Sequence, residues 1–285
     1  MPHADTLSAQ VTRLFRYPVK SCRRVEVAVS DVVANGLVAD REYMVVDADG
    51  VFVSQRTVPA LALVDPAEVL ARAVPAQRRL KVRVHRWRGE GVDQGDAAAR
   101  YLTDICGEPV RLVRFPDDQR RDTDVGGGTT AFADGYPLLV TSERSLAELN
   151  RALGGDFAME RFRPNIVLGG LEEPWAEDEF DHLMIRSLRI DIATLCGRCP
   201  VTTVDQDSGV VGTEPLTWLR AHRQLPRLDR GTIAVFGVNA IPRDSGTIAV
   251  GDPVTIVRSE VPYLERARLA GEQARQARRR PARAG

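Results

Sequence analysis

The chain reads as a β-rich α+β protein, a barrel-like fold with a few helices, and three observations predict it. Short alternating or wholly apolar segments recur along most of its 285 residues, only two segments stand out with helical spacing, and the apolar share of 44% is that of a chain that packs a core.

Taken in order, Val11–Tyr17, Val25–Val29 and Glu42–Val46 place apolar side chains at period two or in short buried runs, as strands do. Asp47-Ala-Asp-Gly50 ahead of Val51–Val53 supplies turn chemistry for a hairpin. Further strands are predicted at Lys81–His85, Val110–Arg114, Leu138–Val140, Asn165–Leu168, His182–Ile185 and Leu188–Ile192. One helix is predicted over Glu143–Leu153: Leu146, Leu149 and Leu153 share a face, Thr141-Ser142 offers the N-cap, and Gly154-Gly155 stops it. A second runs from Pro215 to Gln224, with the proline in the first turn and Leu216, Trp218 and Leu219 free to pack.

Asp117–Gly128 is polar and closes on three glycines, which reads as an interdomain linker or mobile loop. It divides the chain into a first β region over 9–116, a second over 117–258, and an Arg/Ala-rich tail over 259–285, helical or disordered.

The 39 basic and 39 acidic residues cancel, so no global field drives the chain onto nucleic acid or an anionic membrane, and any anion must meet a local cluster of cations. The N-terminus lacks the basic-then-apolar pattern of a signal peptide, and the apolar runs are strand-sized. A soluble cytoplasmic protein without a membrane span is expected. The four cysteines, Cys22, Cys106, Cys196 and Cys199, do not make a disulfide scaffold and are expected as free thiols or ligands.

Chemistry concentrates in Cys196-Gly-Arg-Cys199-Pro-Val-Thr-Thr-Val-Asp205. Two cysteines at this spacing suggest a redox dithiol or half a zinc site, but no second pair completes the zinc site. The β-branched Val201–Val204 reads as a strand, where a thioredoxin-like motif should open a helix. Arg198 beside Cys199 would favour the thiolate, the form that ligates soft metals. At Leu138–Glu143 a strand runs into a capped helix, which suits either a phosphate or ordinary capping. Arg161-Phe-Arg163-Pro-Asn165 and Tyr17-Pro-Val-Lys20-Ser21 set cations and amides beside rigid prolines at strand ends, as an anionic cofactor or a surface ion pair would use them. Asp134 and Asp205 are candidate proton carriers, although Asp205-Gln-Asp-Ser-Gly209 also reads as a turn. The four histidines fall in no ligand spacing and are assigned no chemistry.

Six ordered blocks, Tyr17-Pro-Val-Lys-Ser-Cys22, Gly36-Leu-Val-Ala-Asp-Arg41, Phe132-Ala-Asp-Gly-Tyr-Pro137, Phe162-Arg-Pro-Asn-Ile166, Cys199–Asp205 and Gly246-Thr-Ile-Ala-Val-Gly-Asp-Pro253, together resemble the MOSC family, the molybdenum cofactor sulfurase C-terminal domain proteins. The resemblance is to its amidoxime-reducing branch, with an N-terminal MOSC β-barrel region over 9–116 and the MOSC domain over 117–258. It implies a molybdenum cofactor, the metal bound to molybdopterin, with Cys199 as the single protein ligand and Asp134 nearby as a catalytic residue. By the same resemblance Lys20, Ser21, Arg41, Thr141, Ser142, Arg163, Asn165 and Arg198 would line the pterin and its phosphate.

The activity implied is reduction of small N-hydroxylated substrates, amidoximes and hydroxylamines. Some bacterial members carry a fused iron–sulfur domain, but no cysteine follows Cys199 here, so a separate electron-donor protein carrying an iron–sulfur, flavin or b-type haem centre is expected. Two alternatives stay open: a non-catalytic carrier of the cofactor or its sulfur, and a thiol–disulfide protein using both cysteines. In the molybdenum reading Cys196 is a bystander.

Overall fold

Alternation along the chain becomes a closed β-barrel, a smaller four-stranded sheet and a three-stranded ribbon. The computed structural model describes residues 6–226, 232–261 and 265. The elements of the first half are β1 (Thr6–Arg16), β2 (Val25–Val27), β3 (Val29–Val33), β4 (Gly36–Leu37), β5 (Tyr43–Val46), α1 (Pro66–Leu70), β6 (Arg79–Val84), β7 (Trp87–Asp93), α2 (Asp96–Cys106) and β8 (Arg111–Arg114). Those of the second are β9 (Leu138–Ser142), α3 (Glu143–Leu153), β10 (Ile166–Gly169), β11 (Phe180–Ile185), β12 (Leu188–Gly197), α4 (Leu216–His222), β13 (Gln224–Pro226), β14 (Thr232–Pro242), β15 (Gly246–Ala249) and β16 (Pro253–Arg258).

Seven strands in the order β10-β9-β14-β12-β11-β16-β1 form a sheet that closes on itself, because β1 also pairs with β10. Only β9 and β10 run parallel, joined by α3; the other neighbours in the ring are antiparallel. Closure leaves no open edge in the ring. Its interior is filled by Val11, Leu14, Val140, Ile166, Leu183, Ile190, Val238 and Ile256, with further buried aliphatic residues. Gln10 pairs with Gly169 on one side of β1 and with Pro253 on the other, so the ring draws strands from both sides of residue 117.

The second sheet, β5-β8-β7-β6, shows the period-two logic directly. Val45 faces Leu112 across β5 and β8, and both belong to a core under α2 with Leu61, Ala98 and Leu102. One residue away, Met44 pairs with Val113 and both join the opposite core with Val82, Val84, Phe115 and Phe132. Both faces are thus covered, one by helix and one by the loop carrying Phe132.

The helix expected over Glu143–Leu153 forms with those bounds, Ser142 accepting from the Arg144 and Ser145 backbone N–H groups and Gly154 closing it in the left-handed conformation. The second expected helix is shorter, Leu216–His222, with Pro215 just before it. Val201–Val204 is not a strand: Pro200–Thr203 is a 3-10 turn. The Thr202 and Thr203 hydroxyls donate to the carbonyls of Cys199 and Pro200, and these local bonds override the β-branched propensity. Nor is 117–128 a free linker. Its Arg121 is 6% exposed and donates to the Ala131, Ala133 and Asp134 carbonyls, pinning that loop in place. The Arg-rich tail lies outside the described residues, apart from 259–261 and Glu265. No described helix is long and apolar enough to cross a membrane.

Candidate functional site

The ends of β1 and β12, the loop before β9 and the turn before β10 open onto one cleft of about 130 Å³. Past Arg16 the chain leaves the barrel: Val19 bridges Tyr43 in the smaller sheet, the Lys20 N–H donates to the Tyr43 carbonyl, and the Arg41 N–H donates to the Tyr17 carbonyl. Residues 17–21 and 39–43 are thereby locked between the two sheets. Lys20, Ser21 and Arg41 line the cleft from this side, with Asp134, Arg163, Asn165, Arg198 and Cys199 from the other. Five cations (Lys20, Arg41, Arg56, Arg163, Arg198) face a single carboxylate, Asp134, so a near-neutral chain carries a strongly positive pocket.

Tyr17 organises two of the cations. Its ring is fully buried and carries both the Arg41 guanidinium at 4.2 Å and that of Arg163 at 4.1 Å from its centroid. Burial pushes the phenol up to about 12, so it remains a neutral spacer. Arg41 also donates to Asp40 (2.7 Å), to Asn165 Oδ1 (3.0 Å) and to the Arg163 carbonyl (3.0 Å). Burial brings Arg163 down to about 10, opposed by Tyr17 and reinforced by Arg41. Ser21, Arg41, His85 and Arg163 all take positive φ, an uncommon state for residues other than glycine and one that concentrates at functional sites.

Lys20 Nζ reaches Asp134 Oδ1 at 2.5 Å, and His85 Nε2 lies 3.2 Å from the same oxygen. Burial lowers the Lys20 ammonium's pKa, with Asp134 opposing. For Asp134, desolvation by the packed cleft wall favours the neutral acid, but the Lys20 charge and the His85 contact win and hold the carboxyl well below the ordinary range. Its side chain is nonetheless 69% exposed, so it meets water directly and its ion pair is partly screened.

The cysteine motif straddles the end of β12 and the start of the 3-10 turn, and its geometry corrects two expectations. Arg198 donates through Nη1 to Cys196 Sγ (2.9 Å) and through Nη2 to the Phe162 carbonyl (2.7 Å), so its guanidinium serves Cys196 rather than Cys199. Cys196 is therefore no bystander: it lines the cleft and anchors a cleft cation. Burial pushes the Cys196 thiol up against the pull of Arg198.

Thr141 and Ser142 do not reach the cleft. Both are fully buried, Thr141 against Met159 Sδ and Ser142 in capping α3, so the ordinary capping role is the one the structure assigns. Asn165 borders the cleft, yet its amide is spent inside the protein: Oδ1 accepts from Leu139 N–H and Arg41, and Nδ2 donates to the Phe15 carbonyl. Asp205 is the expected turn residue, accepting from Asp207 and Ser208 N–H groups while pairing with Arg161. Phe52 of the 47–53 hairpin and Ser54 and Arg56 just after it, with Tyr136 and Asn239, are lining residues that the sequence reading missed. The hairpin's turn was visible, but nothing local to it shows that the following residues reach across to a loop more than 70 residues on.

A fold in which one barrel carries a cationic cleft and a thiol at a strand end defines the class, and the chain belongs to the MOSC-domain family. Residues 8–109 match the MOSC N-terminal beta barrel domain and residues 127–255 the MOSC domain. Among relatives, the sequence is similar to human mitochondrial amidoxime-reducing component 1, 34% identical over 279 residues that cover 87% of this chain and 82% of that protein. It is also similar to human mitochondrial amidoxime reducing component 2, at 31% identity over 282 residues, 86% and 82% of the two chains.

Proposed function

We propose that the protein is a molybdenum-cofactor-dependent reductase of small N-hydroxylated substrates such as amidoximes and hydroxylamines, fed by a separate electron-donor protein. The observation that carries it is the cationic lining that shares the cleft with Cys199: Lys20, Arg41, Arg56, Arg163 and Arg198 against one carboxylate, with Arg163 Nη2 and Arg198 Nε left without a hydrogen-bond partner in the protein. A phosphate-bearing anion supplies the charge and the acceptors that such a lining lacks. Among the described residues no three His, Cys, Asp or Glu side chains gather around a metal-sized point. A metal held through Cys199 must bring its other ligands with it, as a pterin-bound metal does.

In this reading Cys199 holds the metal, while Arg163, Arg198, Lys20, Ser21 and Arg41 hold the pterin phosphate. When bound, the cofactor supplies the two-electron chemistry that breaks the N–O bond. The chain does the rest. The Tyr17 ring holds two guanidiniums in place before the anion arrives, which lowers the ordering cost of binding, and Asp134, anchored by Lys20, presents a carboxylate at the mouth of the cleft.

Molybdenum analysis of purified wild type and Cys199→Ser, with anaerobic turnover of an aromatic amidoxime by chemically reduced protein, tests this. Stoichiometric metal and turnover in wild type, both lost in Cys199→Ser, is the expected result. Cys199→Ser retaining metal with an unchanged spectrum would overturn the ligand assignment, and a loaded wild type inactive on all N-hydroxylated compounds would reduce the protein to a carrier.

A further inference from the structure

Reduction of an N-hydroxylated compound consumes two electrons and two protons: the N–O bond breaks, the oxygen leaves as water and the nitrogen keeps an N–H. On the reductase reading the electrons come from the donor protein, and the protons need a route from water. Asp134 is the acid nearest the cleft, but its carboxyl is held well below the ordinary range, so between turnovers it stands as a carboxylate and must be resupplied. Lys20 is its strongest partner, yet it is only 6% exposed and enclosed by the cleft wall, with its ammonium over the Phe52 ring at 5.1 Å. It can hold charge but has little contact with solvent.

Asp134 meets water itself, but hydronium is scarce near neutrality, so a neighbouring acid–base side chain in contact with solvent speeds its resupply. His85 is that neighbour. It is the first residue of the two-residue turn between β6 and β7, at φ 53°, and this turn carries its ring out of the smaller sheet to the cleft mouth. The ring packs edge-on against Phe52, centroids 5.0 Å apart, with Nε2 at 3.2 Å from Asp134 Oδ1. Its side chain is 42% exposed. The charged groups around it are Asp134, Lys20 on the same carboxylate oxygen, Arg121 fixing the Asp134 carbonyl, and Arg56 at 5.3 Å from the Phe52 centroid. Histidine is the side chain whose protonation changes most readily near neutrality.

We propose that His85 is the proton-relay residue of this cleft, taking protons from water and passing them through Nε2–H to the Asp134 carboxylate, which delivers them to the substrate as the N–O bond breaks. His85 touches neither substrate nor cofactor in this scheme; it acts through Asp134. The relay joins the two sheets functionally, since the turn belongs to the first half of the chain and the carboxylate to the second.

The test compares molybdenum-loaded wild type with His85→Gln on an aromatic amidoxime across pH 5.5 to 8.5 (about three units, spanning the imidazole range). Metal content and KM stay at wild-type levels, kcat falls about tenfold or more, the pH dependence flattens, and added imidazole restores part of the rate. Independently of turnover, 15N-labelled protein without metal shows a low-field proton signal on His85 Nε2 that vanishes in Asp134→Asn. An active wild type with His85→Gln matching it in kcat and pH profile overturns the relay alone, as does an Nε2 signal indifferent to Asp134→Asn. A loaded wild type that reduces no N-hydroxylated compound overturns the reductase reading and the relay with it.

Discussion

Glu177 shows what a single misplaced charge costs this fold. It sits wholly buried in a 3-10 turn, Ala176–Glu179, where Oε2 accepts from the Ser145 hydroxyl at 2.7 Å and Oε1 has no partner. Burial pushes its carboxyl up to about 7 from an ordinary 4.5, against the Ser145 hydrogen bond. A folded-state pKa above the unfolded value means that the stabilisation is complete below pH 4.5 and drains away as pH rises to about 7. The full loss is about 3 kcal/mol. Urea unfolding of wild type and Glu177→Gln at pH 5 and pH 8 (roughly either side of most of this window) is expected to show the variant gaining on wild type by up to that amount at the higher pH. A difference that does not change with pH would refute it. At this scale the sequence was legible in part: Lys20, Arg163, Asp134 and Cys199 were recognisable as chemistry at strand ends. The meeting of Lys20 with Asp134, 114 residues away, had no local signature, and His85 offered none at all.

Elements were readable where one local rule dominated. The capping hydroxyl, leucine stripe and glycine stop of α3 agree with each other, and the helix forms as read. By contrast α2 turns Ala98, Ala99 and Leu102 inward, and small alanines give a faint apolar stripe, so it was missed. β14 was also missed: its apolar run is broken at Gly237, which sits at φ +72° in the middle of the strand. That glycine is structural. A Cβ there would lie 2.7 Å from both the Val140 carbonyl oxygen and Thr141 Cγ2 of the adjacent β9, in a backbone state L-residues avoid. Left-handed strain of about 1–2 kcal/mol and overpacking of about 1–3 kcal/mol put the cost of Gly237→Ala at about 2–5 kcal/mol. Chemical denaturation checks this, and a variant within about 0.5 kcal/mol of wild type, the range of an ordinary surface change, would show that β9 and β14 can part without penalty.

For the whole molecule, the decisive feature is that neither half of the chain owns the barrel or the cleft. β1 is the one ring strand from before residue 117, and it is bonded on both sides, to β10 and to β16. Removing it leaves six strands with two open edges and uncovers the side of the core that Val11 and Leu14 fill. Open apolar edges favour pairing between molecules over folding within one. The cleft depends on the same joint, because Lys20, Ser21 and Arg41 follow β1 while Cys199, Arg163 and Asp134 come after residue 117. A chain starting at residue 117 is therefore expected to lack a cooperative thermal transition and to self-associate, seen by near-ultraviolet circular dichroism and light scattering. Adding residues 6–116 as a separate polypeptide should restore a single transition by supplying β1. A cooperative, monomeric 117–261 fragment on its own would mean that the ring closes without β1, and the argument that the barrel and its cationic cleft form as one unit would fail.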